Sequence, residues 1–160
     1  MCMTIYLASD HAGFELKEKI KKFLADSGYT VEDFGAHTLD SNDDYPDFIR
    51  KAATAVANDP ERSRGVVFGG SGEGEAMVAN RVKGVRAVVY YGDPSVSLAK
   101  DGRQLSIIKL SREHNDANIL SLGARFLTEE QATHAVKLWL ETPFSEEERH
   151  KRRIKKIDEK

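Results

Sequence analysis

The chain has 160 residues, 40% hydrophobic and 31% charged, and its 24 Lys and Arg against 26 Asp and Glu give a formal net charge of −2. These values suit one domain with a real core, and the near-neutral balance gives no reason to expect nucleic acid or an anionic membrane as partner. A single cysteine, Cys2, excludes a disulfide framework and a cysteine metal site, and no stretch approaches the roughly 20 apolar residues that span a bilayer, so a cytoplasmic protein is expected.

Residues 4–8 read as a first strand, followed by a short loop, 9–13, and a helix whose apolar stripe runs through Phe14, Leu16, Ile20, Phe23 and Leu24 until Ser27-Gly28 ends it. A second strand, 30–34, leads into a longer loop, 35–46, and a helix marked by Phe48, Ala52, Ala55 and Val56. The third strand, 65–68, runs directly into Gly69-Gly70-Ser71-Gly72-Glu73-Gly74-Glu75 and then Ala76-Met77-Val78-Ala79-Asn80. Strands over 85–90 and 119–122 complete the alternation, which predicts an α/β fold: a doubly wound three-layer sandwich around a five-stranded parallel sheet. In such sheets ligands bind at the carboxyl ends of the strands, where the loops 9–13, 35–46 and 69–74 would meet.

The glycine loop carries the most chemistry. Four glycines let backbone N–H groups approach an anion, and the helix start behind them adds a positive dipole end. A triphosphate loop is excluded, because the position that needs Lys holds Glu75 and the magnesium-binding Ser or Thr position holds Ala76. G-x-G-x-x-G fails as well, since Glu75 stands where its third glycine belongs. An anion hole with a carboxylate beside it suits proton abstraction next to a carbonyl. The dipole lowers the basicity of Glu75, so this reading requires burial to raise it again. The alternative is a plain turn with Glu75 solvated.

Two regions depart from the compact pattern. Residues 100–110 read as an insertion between the fourth strand with its helix and the Ser111–Asp116 segment. The tail, 145–160, begins with three glutamates and continues with Arg149, Lys151, Arg152, Arg153, Lys155 and Lys156, a polarity that suits a helix.

Taken together, Ala8-Ser9-Asp10-His11-Ala12-Gly13-Phe14, Asp44-Tyr45-Pro46, the 69–80 loop and helix, Glu113-His114-Asn115-Asp116-Ala117-Asn118, Leu122-Gly123-Ala124-Arg125, Trp139-Leu140 and Arg149-His150-Lys151-Arg152-Arg153 resemble one family over nearly the whole chain. It is the ribose-5-phosphate isomerase type B and galactose-6-phosphate isomerase (LacA/LacB) family. The resemblance implies a flavodoxin-like fold formed by residues 1–160 as a single domain. It also implies a homodimer whose active sites use both subunits, with further pairing into tetramers left open, and cofactor-free, metal-free aldose–ketose isomerisation of a phosphorylated sugar.

Carried onto matching positions, the family's roles make Glu75 the base that moves a proton between C2 and C1 through a cis-enediolate. In part of the family a cysteine at the position of Gly69 does this instead. The backbone of Gly70, Ser71, Gly72 and Gly74, with Asn115, would hold the enediolate oxygens. Asp10 and His114 would open the sugar ring, and Tyr45 would line the sugar site. His11, Arg125, Arg149 and Arg153 would grip the phosphate, the last two reaching a partner's site from the tail helix. His37, His134 and His150 receive no role, and no His and carboxylate spacing reads as a metal site. Ribose 5-phosphate is the leading substrate. Galactose, allose or tetrose phosphates, a non-catalytic sugar-phosphate-binding subunit and a flavin protein are the alternatives.

Overall fold

The structure, a computed structural model, describes residues 3–93, 99, 101–102 and 104–159. Five strands, β1 (Thr4–Ser9), β2 (Thr30–Asp33), β3 (Ser63–Gly69), β4 (Ala87–Tyr90) and β5 (Ile119–Gly123), form one sheet in the order β2-β1-β3-β5-β4. Every neighbouring pair is parallel. The parallel α/β architecture is as expected. Its strand order departs from the 2-1-3-4-5 of flavodoxin, because β5 sits between β3 and β4.

Six helices accompany the sheet: α1 (Phe14–Asp26), α2 (Tyr45–Asn58), α3 (Glu73–Ala79), α4 (Ile107–Glu113), α5 (Glu129–Glu141) and α6 (Glu148–Lys155). Two apolar clusters show which face each of α1 to α5 covers. Leu16, Ile20 and Leu24 of α1, Ile108 of α4 and Val136 and Trp139 of α5 pack with Ile5, Leu7, Phe68 and Leu120 on one face. Ile49, Ala52, Ala53 and Val56 of α2 and Ala79 of α3 pack with Ala8, Val67 and Ile119 on the other. The central strand β3 is therefore covered on both sides, which is why its sequence is a continuous apolar run.

Helix α2 begins at Tyr45, so this residue stands in a first helical turn and not in a loop. The reading of 100–110 as an insertion also needs correction. Ile107–Leu110 is the first half of α4, and Ile108 is 3% exposed inside the core. Its lone buried isoleucine was too short an apolar signal to mark a helix. Lys100 and Arg103 lie outside the described residues. Within the tail, α6 occupies Glu148–Lys155. Among the described residues, no helix is long and apolar enough to cross a membrane.

Candidate active site

The chain leaves β1 toward β2 on one side of the sheet and then crosses to β3 on the other, which opens a crevice at the carboxyl ends of β1 and β3. Close backbone approach shapes it. A Cβ on Gly13 would lie 2.6 Å from the carbonyl carbon of Phe68, so only glycine lets α1 start against the end of β3. The Asp10 Oδ1 closes the intervening turn by accepting the N–H groups of Ala12 (2.9 Å) and Gly13 (3.3 Å).

Gly72 takes φ +81° as it turns the loop into α3, a conformation that side chains disfavour. Its carbonyl accepts the Ser121 hydroxyl at 2.6 Å, which fastens the loop to β5. The N–H groups that open α3 are partly engaged locally: that of Glu73 donates to the Ser71 hydroxyl at 3.3 Å, and that of Glu75 to its own carboxyl group.

Glu75 is 3% exposed, which removes the solvated-turn reading. A Cβ on Gly69 would coincide with the Glu75 carboxyl group, so the glutamate fills the space that any larger residue at 69 would need. Burial is the largest influence on its acidity and raises its pKa; the Asp10 charge adds to this, while a bond from its own backbone N–H opposes it. The requirement that burial restore basicity is met.

His11 lies beside Asp10, with its Nδ1 4.0 Å from Asp10 Oδ2. Its Nδ1 is 2.6 Å from Asp43 Oδ1, which also accepts the His11 backbone N–H at 3.0 Å. The hydrogen bond to Asp43 is the main reason that the His11 pKa is raised, whereas Arg125 works the other way. Tyr45 lies against Gly74 and the Arg125 guanidinium against Gly70. Ser71 is exposed at the loop tip, and its hydroxyl accepts the Glu73 N–H at 3.3 Å. One chain thus gathers Asp10, His11, Tyr45, the 70–74 loop, Glu75 and Arg125.

It does not gather the rest. His114 and Asn115 precede β5, at the opposite end of the strands, and seven residues of β3 separate the two ends by about 20 Å. The start of α6 belongs to that far end too: Ser145 N–H donates to the Glu113 carbonyl at 3.1 Å, and the rings of His150 and His114 pack with centroids 4.3 Å apart. Arg149 and Arg153 are exposed there, Arg149 pairing with Glu147 at 2.7 Å. The residues expected to share one site therefore fall into two groups that do not meet within the chain.

Two residues escaped the sequence reading. Asp43, the His11 partner, lies 32 positions from it among several acidic neighbours, and nothing local singles it out. His150 was left without a role, yet it is 2% exposed against His114, with Nδ1 2.8 Å from Ser145 Oγ; burial first and His114 second lower its pKa. His37 and His134 are exposed. Ligand atoms of Asp10, His11 and Asp43 lie within 4.8 Å of one another, a grouping that sequence spacing did not reveal. In it His11 Nδ1 and Asp43 Oδ1 are already committed to each other.

Known proteins resemble this chain over nearly its whole length. The family profile described as Ribose/Galactose Isomerase matches residues 5–157. Ribose-5-phosphate isomerase B of Mycolicibacterium paratuberculosis is 43% identical over 152 residues, 95% of this chain and 87% of that protein. Among solved structures, ribose-5-phosphate isomerase B from Mycoplasma genitalium with bound ribulose-5-phosphate superposes with a TM-score of 0.84 at 36% identity, covering 98% of this chain and 95% of the other. The Clostridium thermocellum ribose-5-phosphate isomerase B gives 0.82 at 41% identity, with 98% and 96% covered. With its profile matched from the first strand to the last helix, the chain belongs to the Ribose/Galactose Isomerase family.

Proposed function

We propose that the protein interconverts ribose 5-phosphate and ribulose 5-phosphate as a cytoplasmic homodimer, without a metal, using Glu75 as its base. The observation that carries this reading is the Glu75 carboxylate, 3% exposed, raised in pKa, and set beside the glycine loop and the first turn of α3. Glu75 takes the proton from C2 of the open-chain aldose, and the electron pair passes to the carbonyl oxygen to give a cis-enediolate. The same carboxyl group returns the proton to C1, while the C2 hydroxyl proton passes to the C1 oxygen, leaving a carbonyl at C2 and a hydroxyl at C1. N–H groups of Gly70, Ser71, Gly72 and Gly74 hold the negative oxygen that develops, and Tyr45 lines the sugar.

His11 and Arg125 bind the phosphate from one chain. Arg149 and Arg153 of a second copy complete the grip, and the same copy supplies Asn115 and the ring-opening His114, which acts with Asp10. The ribulose-5-phosphate in the Mycoplasma genitalium relative supports this choice of substrate.

Glu75→Gln keeps the shape and removes the base. Its kcat should fall by roughly 10²–10⁴ in the ribose 5-phosphate assay, with binding of the sugar phosphate retained. Normal turnover would remove Glu75 from the mechanism, and loss of the wild-type rate in excess chelator would contradict metal independence.

A further inference from the structure

His114 and Asn115 share an unusual circumstance: no hydrogen bond of the described residues uses either side chain, while the backbone beneath them is heavily restrained. Asp116 follows with φ +44°, a left-handed conformation that side-chain-bearing residues seldom adopt without support. Two guanidinium groups supply that support. Arg112 Nη1 donates to Asp116 Oδ1 at 2.7 Å and to the Ala117 carbonyl at 2.6 Å. Arg86 Nη2 donates to Asp116 Oδ2 at 2.9 Å and to the Asp116 carbonyl at 2.7 Å, and its Nε reaches the Asn115 carbonyl at 2.9 Å. Three successive carbonyls and both carboxylate oxygens are thereby held.

Arg112 also joins the second piece of the far end. It is 5% exposed, its guanidinium lies 5.7 Å over the Trp139 ring, and Nε donates to the Thr142 carbonyl at 3.3 Å. Three residues later Ser145 binds the Glu113 carbonyl and His150, which packs on His114. One buried arginine thus ties both the 114–115 loop and the approach to α6. A buried ion network is a poor stabiliser compared with apolar packing of the same volume, but the rigid fork of arginine fixes geometry well.

We infer that Arg112, Arg86 and Asp116 are positioning residues: they preset the 114–115 loop so that it enters a second copy's active site already in its working conformation. The inference rests on the proposed function, in which that loop acts. Preorganisation explains why the backbone is fixed where the side chains make no hydrogen bond among the described residues.

The test is a coupling measurement on the full-length protein. Asp116→Asn keeps a residue tolerant of left-handed φ but removes the charge that both arginines bind. Its kcat/KM for ribose 5-phosphate should fall about tenfold in the wild-type background and less than about twofold in a His114→Ala/Asn115→Ala background, because the loop then has nothing to position. Arg112→Lys, which keeps the charge and loses the fork, should behave alike; should it fail to fold, Asp116→Asn carries the test alone. Equal losses in both backgrounds would make the network merely structural and overturn the inference, as would no loss at all. A crippled His114→Ala/Asn115→Ala protein beside a normal Asp116→Asn protein would overturn the clamp alone. Full activity of His114→Ala/Asn115→Ala would overturn the active-site reading and the clamp with it.

Discussion

Glu75 stands under two opposed influences. The start of α3 favours its carboxylate, burial disfavours it, and burial prevails. The kcat/KM profile should therefore show an acid limb above the ordinary carboxylate range, and Asp10→Asn should move that limb downward by removing a neighbouring negative charge. Stability follows from the same shift. Where Glu75 is protonated in both folded and unfolded chains its burial carries no charge penalty; the penalty grows as pH rises through its raised folded pKa. Glu75→Gln should thus melt a few degrees higher than wild type at neutral pH, and the gain should fade in acid, as thermal unfolding at several pH values will show. His11 has the opposite logic, since Asp43 keeps it cationic to higher pH. Asp43→Asn should raise the KM for sugar phosphate more strongly at pH 8 than at pH 6, where the imidazole regains its charge anyway; an unchanged pH dependence would remove His11 from phosphate binding. The glycine loop and the carboxylate of Glu75 stood out in the sequence because they are adjacent in it, whereas Asp10 entered only through the family resemblance. Asp43 was not, because its meaning depends on a fold that brings positions 11 and 43 together.

Among the elements, the strands were legible to within a residue or two because burial on both faces leaves continuous apolar runs, as in Val66-Val67-Phe68. The order of β4 and β5 was not, since a strand's residues do not name its neighbours. Helix α4 was missed because seven residues hold only two full turns, and its core contact rests chiefly on Ile108. Helix α1 shows how an element serves the site: its start is lodged against Phe68, and that contact sets the Asp10 turn. Gly13→Ala forces α1 away from β3 and should cost about 1–3 kcal/mol in urea unfolding, with a further loss of activity. An unperturbed protein would mean that α1 has room to move.

At the scale of the whole molecule, the residues assigned to one site lie at opposite ends of the strands, so the proposed function requires a second copy to bring them together. Glu75→Gln and His114→Ala should each be nearly inactive alone. Unfolded and refolded together, they should recover about one quarter of wild-type activity, because about half of randomly paired dimers are mixed and each mixed dimer holds one intact site. Absence of recovery would place His114 and Glu75 in the same chain's site or remove one of them from catalysis. In the sequence, a site divided between two copies was implied only by the family resemblance. Residues 114 and 75 carry no sign of which end they occupy until β5 is placed beside β3.

The shared space of residues 69 and 75 makes the glycine a keeper of the glutamate's position. A side chain at 69 would overlap the carboxyl group of Glu75, the flexible end of its side chain, so the substitution would displace that group before it disturbed the backbone. Under the proposed function such a loss would register in turnover sooner than in folding.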